Sequence, residues 1–150
     1  MIDPLYQKRI LRLAAEAHGA GRIAGAGFSA TVRNPMCGDQ IRVDIDAANG
    51  RIAALAHETR ACVLCQASAS LLAQTAPGHG REAISLLRDD LQTMLAGGDA
   101  SGTLGEYAVF TPVRDHPNRH NCVILPLDAV LEALRCETNE SDPAKAAVTT

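Results

Sequence analysis

The sequence predicts a single α+β domain in which a three-stranded antiparallel sheet packs against an N-terminal helix and C-terminal helices. Apolar and polar residues alternate around an Asn-Gly pair, and segments with helical apolar spacing lie on both sides of that region. A length of 150 residues corresponds to one domain. We expect this domain over residues 1–136 and a flexible tail over 137–150, where polar residues are frequent.

The first helix and the sheet have clear local signals. The helix should begin at Asp3-Pro4, because Asp is a favourable N-cap and Pro fits the first helical position. Strands are expected near residues 28–32, over 40–46 and over 51–57. The last two should be joined by a tight hairpin at Asn49-Gly50, since both residue types tolerate a positive φ.

Helices are expected again after the sheet. Residues 62–76 and 81–95 have apolar residues at helical spacing, and a Pro-Gly-His-Gly stretch separates them. Residues 100–113 are weakly patterned and should form a loop or a short turn. The last helix is expected to have Pro126 in its first turn, where proline is tolerated.

Composition and charge argue against several classes of protein. A formal net charge of −3 provides no basic surface for nucleic acid. No apolar run approaches the roughly 20 residues that span a membrane. The charged, periodic N-terminus does not look like a signal peptide, so we expect a cytoplasmic protein. Five cysteines, an odd number in a reducing compartment, do not indicate a disulfide framework.

Three cysteines have neighbours that suit thiolate chemistry. Cys37 is followed by Gly38 and Asp39, so a tight turn can bring the thiol and the carboxylate to the same point. Cys62 lies where a helix begins, and the N–H groups at that end favour a thiolate. Cys122 is the third of these cysteines, and Arg119 and His120 lie just upstream of it. Each could instead be a small buried hydrophobe, which is common for a lone cysteine.

Three residues near these cysteines have open roles. Cys65 forms a C-x-x-C pair with Cys62, but an antiparallel sheet before the pair disfavours a thioredoxin-like motif. Cys65 is therefore either a core residue or an auxiliary sulfur. Arg119 would lower the pKa of a nearby Cys122 thiol. His120 is either a zinc or iron ligand or a solvated loop residue.

A set of three cysteines and one aspartate suits four-coordinate zinc or a small iron–sulfur cluster. An oxygen ligand among thiolates makes one position weaker, which suits a protein that passes its cargo on.

The three motifs together resemble those of the U-type iron–sulfur cluster assembly scaffolds (IscU, the NifU N-terminal domain and SufU). They are N-P-M-C-G-D at residues 34–39, A-C-x-x-C-Q-A-S-A-S at residues 61–70 and R-H-N-C-x-x-L at residues 119–125. The resemblance implies a SufE/NifU/IscU-like fold. It also implies a site that binds metal or cluster through Cys37, Asp39, Cys62 and Cys122.

Within that family the chain looks most like the SufU branch, because a long insertion separates Cys62 from Cys122 and Arg119 precedes the last motif cysteine. The resemblance implies a scaffold that binds iron and a transient iron–sulfur cluster and passes the cluster to recipient apo proteins. The alternative is a zinc-dependent sulfur acceptor, a sulfurtransferase in which Cys122 and Arg119 are catalytic. Both readings imply a cysteine desulfurase as partner. A purely structural zinc domain is a third reading.

The chain also departs from the family pattern. Ala61 replaces the Gly that usually precedes the second cysteine, and Cys65 is an extra thiol. Pro126 is expected to interrupt the helix that usually continues from the third cysteine. No L-P-P-V-K-like motif is present, which argues against chaperone handling of the IscU kind.

Overall fold

The computed structural model describes residues 7–36, 38–99 and 104–141, with side chains described up to residue 135. Three strands, four α-helices and two 3₁₀ segments follow one another in these ranges. In chain order they are α1 (Lys8–Glu16), β1 (Phe28–Arg33), β2 (Gln40–Ala48), β3 (Arg51–Arg60), α2 (Val63–Thr75), α3 (Arg81–Leu95), the 3₁₀ segments Gly105–Asp115 and Pro117–Arg119, and α4 (His120–Ser141). The predicted α+β class is confirmed.

The sheet is antiparallel with strand order β1-β2-β3. β2 and β3 are joined by a tight turn in which Asn49 and Gly50 have φ values of 57° and 75°. Two successive positive φ values match the right-handed twist of a hairpin, which is why Asn-Gly is favoured here. The predicted hairpin is confirmed, and β3 continues to Arg60.

One face of the sheet is buried against the hydrophobic core. Ile41, Val43 and Ile45 alternate along β2 and are at most 1% exposed. Helices α2 and α4 pack together and cover β3 and β1–β2 respectively, while α1 packs on α2. The alternation along β2 places its intervening polar side chains on the opposite, outer face of the sheet.

Small residues on α2 let the chain approach closely. Gly19, which follows α1, has a φ of +77°, and a Cβ added there would lie 2.5 Å from the Ala73 Cβ. Next to it, the His18 backbone N–H donates a 3.0 Å hydrogen bond to the Ser70 hydroxyl. The segment after α1 is therefore fixed directly on α2.

Two predictions about the C-terminal half were wrong. The described part of the segment expected as a loop or short turn lies largely in a 3₁₀ helix, Gly105–Asp115, in which Tyr107, Phe110 and Val113 are buried. Residues 100–103 lie outside the described residues. The last helix begins at His120, so Pro126 lies inside it rather than in its first turn and does not interrupt it. Proline in a helix costs roughly 3 kcal/mol. Burial of the helix over residues 122–127 offsets that cost.

Some expectations fall outside the described residues. Asp3 and Pro4 themselves do, but the predicted helix start there was wrong for α1, because Gln7 has an extended backbone and α1 begins at Lys8. Residues 142–150 of the expected tail also lie outside, whereas the α4 backbone reaches Ser141. No described helix has the length and apolarity that crossing a bilayer requires.

Candidate metal centre

Three of the four predicted ligands converge at one end of the sheet. The carboxylate of Asp39 and the sulfurs of Cys62 and Cys122 all lie within 4.8 Å of one another. They come from three different elements: Asp39 directly precedes β2, Cys62 directly precedes α2, and Cys122 lies in the first turn of α4. Side chains separated by more than 80 positions in sequence are therefore brought together by tertiary packing.

The turn between β1 and β2 positions the carboxylate. The backbone N–H of Asn34 donates to the Asp39 carbonyl at 2.8 Å, and the Gly38 N–H donates to the Asn34 carbonyl at 2.8 Å. Gly38 has a φ of 78°, a conformation that is easy for glycine alone. Cys37 belongs to the same motif but lies outside the described residues.

The Asp39 carboxylate is buried and incompletely satisfied. The residue is 8% exposed, and its Oδ2 atom has no hydrogen-bond partner among the described residues. A buried carboxylate oxygen without a partner is costly unless a cation or a donor reaches it. Two sulfurs and one carboxylate oxygen form a donor set that suits borderline-soft metals such as zinc and iron. The residues present therefore fit a metal ion.

Cys62 is set up as a thiolate. It is the N-cap residue of α2 and is partly exposed. A hydrogen bond from the Cys122 thiol lowers the pKa of Cys62 to about 6; burial opposes the shift, and the backbone N–H of Cys65 reinforces it. The nearby Asp39 charge acts in the opposite direction. A cation bound among the three groups would relieve that repulsion.

Cys122 is buried, at 1% exposed, and its helix is fixed to the helix that follows Cys62. The Ser68 hydroxyl on α2 donates a 2.6 Å hydrogen bond to the Val123 carbonyl on α4. Ser68 is itself fully buried. Sequence analysis missed this residue; the signal that could have found it is the run of small residues at 67–70, which permits a close approach to α2 but specifies no partner.

The residues with open roles lie in different environments. Cys65 is fully buried in the hydrophobic core and does not belong to the converging group. His120 does not belong to the converging group either, and its Nε2 donates to the Val113 carbonyl at 3.0 Å. Arg119 ends the short 3₁₀ turn before α4 and is partly buried. Its predicted action on the Cys122 thiol stays a prediction.

Comparison with known proteins identifies the family. The model of the NifU-like N terminal domain matches residues 5–123, which include all four predicted ligands. The chain belongs to this family. The predicted resemblance to the U-type scaffolds is therefore confirmed.

Two similar proteins support the family assignment over most of the chain. One is the iron-sulfur cluster assembly scaffold protein IscU of Thermotoga maritima, 28% identical over 132 residues that cover 87% of this chain and 93% of that protein. The crystal structure of a nitrogen-fixing NifU-like protein (N-terminal) from Brucella abortus is 35% identical, with a TM-score of 0.83. The match covers 89% of this chain and 94% of that chain.

A third relative supports the fold alone. It is a putative iron-sulfur cluster assembly scaffold protein for the SUF system from Fervidobacterium islandicum AW-1. Identity is 22% and the TM-score is 0.82, with 87% of this chain and 96% of that chain covered.

Proposed function

We propose that this protein is an iron–sulfur cluster assembly scaffold that binds a transient cluster through Cys37, Asp39, Cys62 and Cys122. The observation that carries the proposal is the convergence of Asp39, Cys62 and Cys122 within 4.8 Å, in a chain of the NifU-like family. The cluster is the cargo, delivered as iron and sulfur and passed on to recipient apo proteins. A cysteine desulfurase in the same reducing, cytoplasmic compartment supplies the sulfur.

Each ligand has a distinct part in this proposal. Cys122 is buried and anchors the cargo from α4, whereas Cys62 is partly exposed and faces incoming iron or sulfur. Asp39 supplies an oxygen ligand, which binds iron more weakly than a thiolate does and keeps one position exchangeable. Cys37 is assigned as the remaining thiolate from its motif.

A zinc-dependent sulfur acceptor is the second candidate, and the state of Cys62 favours it. A partly exposed thiolate can attack the outer sulfur of a persulfide on the desulfurase. The new bond joins Cys62 to that sulfur, the donor's sulfur–sulfur bond breaks, and the donor cysteine leaves as a thiolate. The sequence-based assignment of this role to Cys122, helped by Arg119, stays a prediction; the burial of Cys122 favours Cys62 as the first acceptor.

Anaerobic reconstitution tests the proposal. The protein is incubated with ferrous iron and sulfide, desalted, and analysed by visible absorption and by iron, sulfide and zinc content. We expect sulfur-to-iron charge-transfer bands with iron and sulfide in comparable amounts. Ser variants of the three motif cysteines should lose them, whereas Asp39→Ala should retain them. Cys136→Ser, outside the three motifs, should retain them as well. A colourless protein that holds zinc would overturn the scaffold proposal.

If the protein holds zinc, a second experiment distinguishes a sulfur acceptor from a structural zinc domain. Incubation with cysteine desulfurase and cysteine, followed by mass spectrometry of the intact protein, detects a gain of sulfur. A gain that is lost in Cys62→Ser supports sulfur transfer. A zinc protein that gains no sulfur is the structural zinc domain considered above.

A further inference from the structure

The outer face of the sheet carries a row of polar side chains directly beside the metal centre. Arg33 on β1, Gln40 on β2 and Arg60 on β3 are opposite one another in the strand register. Gln40 directly follows Asp39, and Arg60 lies two residues before Cys62. The row is therefore the last one of the sheet at the end where the ligands converge.

Two of the arginines on this face are neutralised locally. Arg22 pairs with Glu58 at 2.7 Å, and Arg42 pairs with the buried Asp44 at 3.1 Å. Asp44 also accepts hydrogen bonds from the Ser29 hydroxyl and the Ile23 N–H. Its negative charge is thus enclosed within the protein and is not presented to a partner.

Arg33 and Arg60 remain as surplus positive charges. Within the described part of the chain neither has an acidic partner within ion-pair distance. Arg33 is held across the sheet, because its guanidinium donates to the Gln40 side-chain oxygen at 2.6 Å. Since neighbouring strands are about 4.8 Å apart, the two backbones are separated by roughly 10 Å. Two carboxylates on one peptide segment of a partner protein can reach both Arg33 and Arg60 across that spacing.

The same face offers room for such side chains. A cleft of about 500 Å³ is lined by Arg22, Arg42, Glu58 and Arg60 together with neighbouring polar residues of the sheet. Since Arg22 and Arg42 are paired with Glu58 and Asp44, Arg60 leaves the cleft with a net positive charge. The whole chain has a net charge of −3, and the positive face is therefore a local exception.

We propose that this outer sheet face docks the sulfur-donating protein through an acidic surface segment next to the donor's reactive cysteine. The proposal rests on the proposed function, because the docked partner is the one that exchanges sulfur with Cys62. When Arg33 and Arg60 hold the acidic segment of the donor, the reactive cysteine of the donor lies at the end of the sheet where Asp39 and Cys62 are. A second copy of this chain does not fit, since two copies would place arginines against arginines.

The test is a binding measurement with the cysteine desulfurase of the source organism as the probe. The dissociation constant is measured by calorimetry at low and at raised salt for the parent and for Arg33→Glu/Arg60→Glu. The matched control is Arg12→Glu/Arg51→Glu, which changes the net charge equally. Arg12 is exposed on α1, and Arg51 lies at the opposite end of β3. Circular dichroism and melting curves verify that all variants fold.

We expect the Arg33→Glu/Arg60→Glu variant to bind at least tenfold more weakly at low salt and to lose most of the salt dependence of the parent. The control should change less than threefold, and Arg33→Lys/Arg60→Lys should restore most of the affinity. Equal weakening in both charge-reversed variants, no weakening in either, or no binding by the parent would each overturn the docking proposal.

Reconstitution with ferrous iron and sulfide salts separates this result from the proposed function. It needs no partner protein, so the Arg33→Glu/Arg60→Glu variant should still load as the parent does. If the parent protein binds no iron and sulfide, the proposed function is wrong. The binding measurement still decides whether the partner docks on this face.

Discussion

The Ser68 hydroxyl on α2 donates a 2.6 Å hydrogen bond to the carbonyl of Val123, the residue that follows Cys122 on α4. α2 begins directly after Cys62, so this one bond couples the two helices that position the thiols of Cys62 and Cys122. Ser68 is fully buried, and water cannot replace the bond without opening the core.

We expect Ser68→Ala to loosen the site as well as the fold. Loss of one buried hydrogen bond should reduce the free energy of unfolding by about 1 kcal/mol. Because the bond fixes the position of a ligand helix, zinc affinity should fall by about tenfold. Chelator competition and denaturant melts measure the two quantities.

Ser70→Ala is the matched control for this prediction. Ser70 is equally buried on the same helix, but it accepts a hydrogen bond from the His18 N–H on the side of α1. It should lose similar stability without losing zinc affinity. Equal loss of zinc affinity in both variants would show that Ser68 acts only through general stability.

The reactivity of Cys62 should depend on pH in a characteristic way in the metal-free protein. Its pKa is lowered from 9.0 to about 6, chiefly by the hydrogen bond from Cys122. The thiolate therefore predominates at pH 7, and alkylation of Cys62 by iodoacetamide should reach half its maximal rate near pH 6. Peptide mass spectrometry over a pH series gives the profile.

Cys122→Ala removes the hydrogen bond and should move the Cys62 profile to higher pH. Cys136→Ser leaves the three motifs intact and should leave the profile in place. A Cys62 profile centred near pH 9 in the parent would contradict the arrangement of thiols described above.

A buried histidine should make stability fall in mildly acidic solution. Burial lowers the pKa of His57 below 6.5 and outweighs its hydrogen bond to the His18 carbonyl, at 2.8 Å. Below pH 6.5 the unfolded chain binds a proton that the folded chain resists. The contribution of His57 to the free energy of unfolding should thus be constant above pH 7 and decline as pH drops through 6.5.

Urea melts at pH 7.5, 6.5 and 5.5 test this dependence. In His57→Gln the decline between pH 6.5 and 5.5 should shrink, although stability at pH 7.5 also drops because hydrogen bonds are lost. His79→Gln, at an exposed position, should keep the parent's pH dependence. An unchanged decline in His57→Gln would refute the assignment.

Gly19 should tolerate no side chain. Alanine there would have a φ of +77° and a Cβ 2.5 Å from the Ala73 Cβ. Gly97 has a φ of +96°, and a Cβ there meets nothing within 4 Å among the described residues. Gly97→Ala should cost about 1 kcal/mol for the backbone conformation, and Gly19→Ala about 3 kcal/mol because overpacking adds to it. Similar melting temperatures for the two variants would contradict the close packing of Gly19 on α2.

The sheet and α3 could be predicted from the sequence because their signals are local. Asn49-Gly50 determines the hairpin by its backbone conformation alone, and the alternation along β2 determines which face is buried. The position of Pro126 within α4 could not be predicted in this way, since it depends on packing around the helix. The same is true of the 3₁₀ helix Gly105–Asp115, whose buried side chains are stabilised by distant elements.

The candidate site, too, could be predicted only where its sequence signals are local. The motifs around Asp39, Cys62 and Cys122 predicted three residues that the fold brings together. A turn at Gly38 and the start of α2 were the local signals for Asp39 and Cys62. The roles of Ser68 and His120 depend on partners 55 and 7 positions away. No local pattern specifies those partners, so the sequence alone does not distinguish a metal-ligand role from a loop role for His120.

The most direct test of the central claim is a crystal structure of the anaerobically reconstituted protein with an anomalous map at the iron edge. Asp39→Ala serves as the trapping variant, because loss of the weaker oxygen ligand should slow release of the cluster. Iron bound to the Cys62 and Cys122 sulfurs and, in the parent, to the Asp39 carboxylate is the predicted result. Iron elsewhere on the surface, or a single zinc ion among these ligands that iron and sulfide cannot displace, would contradict the scaffold assignment.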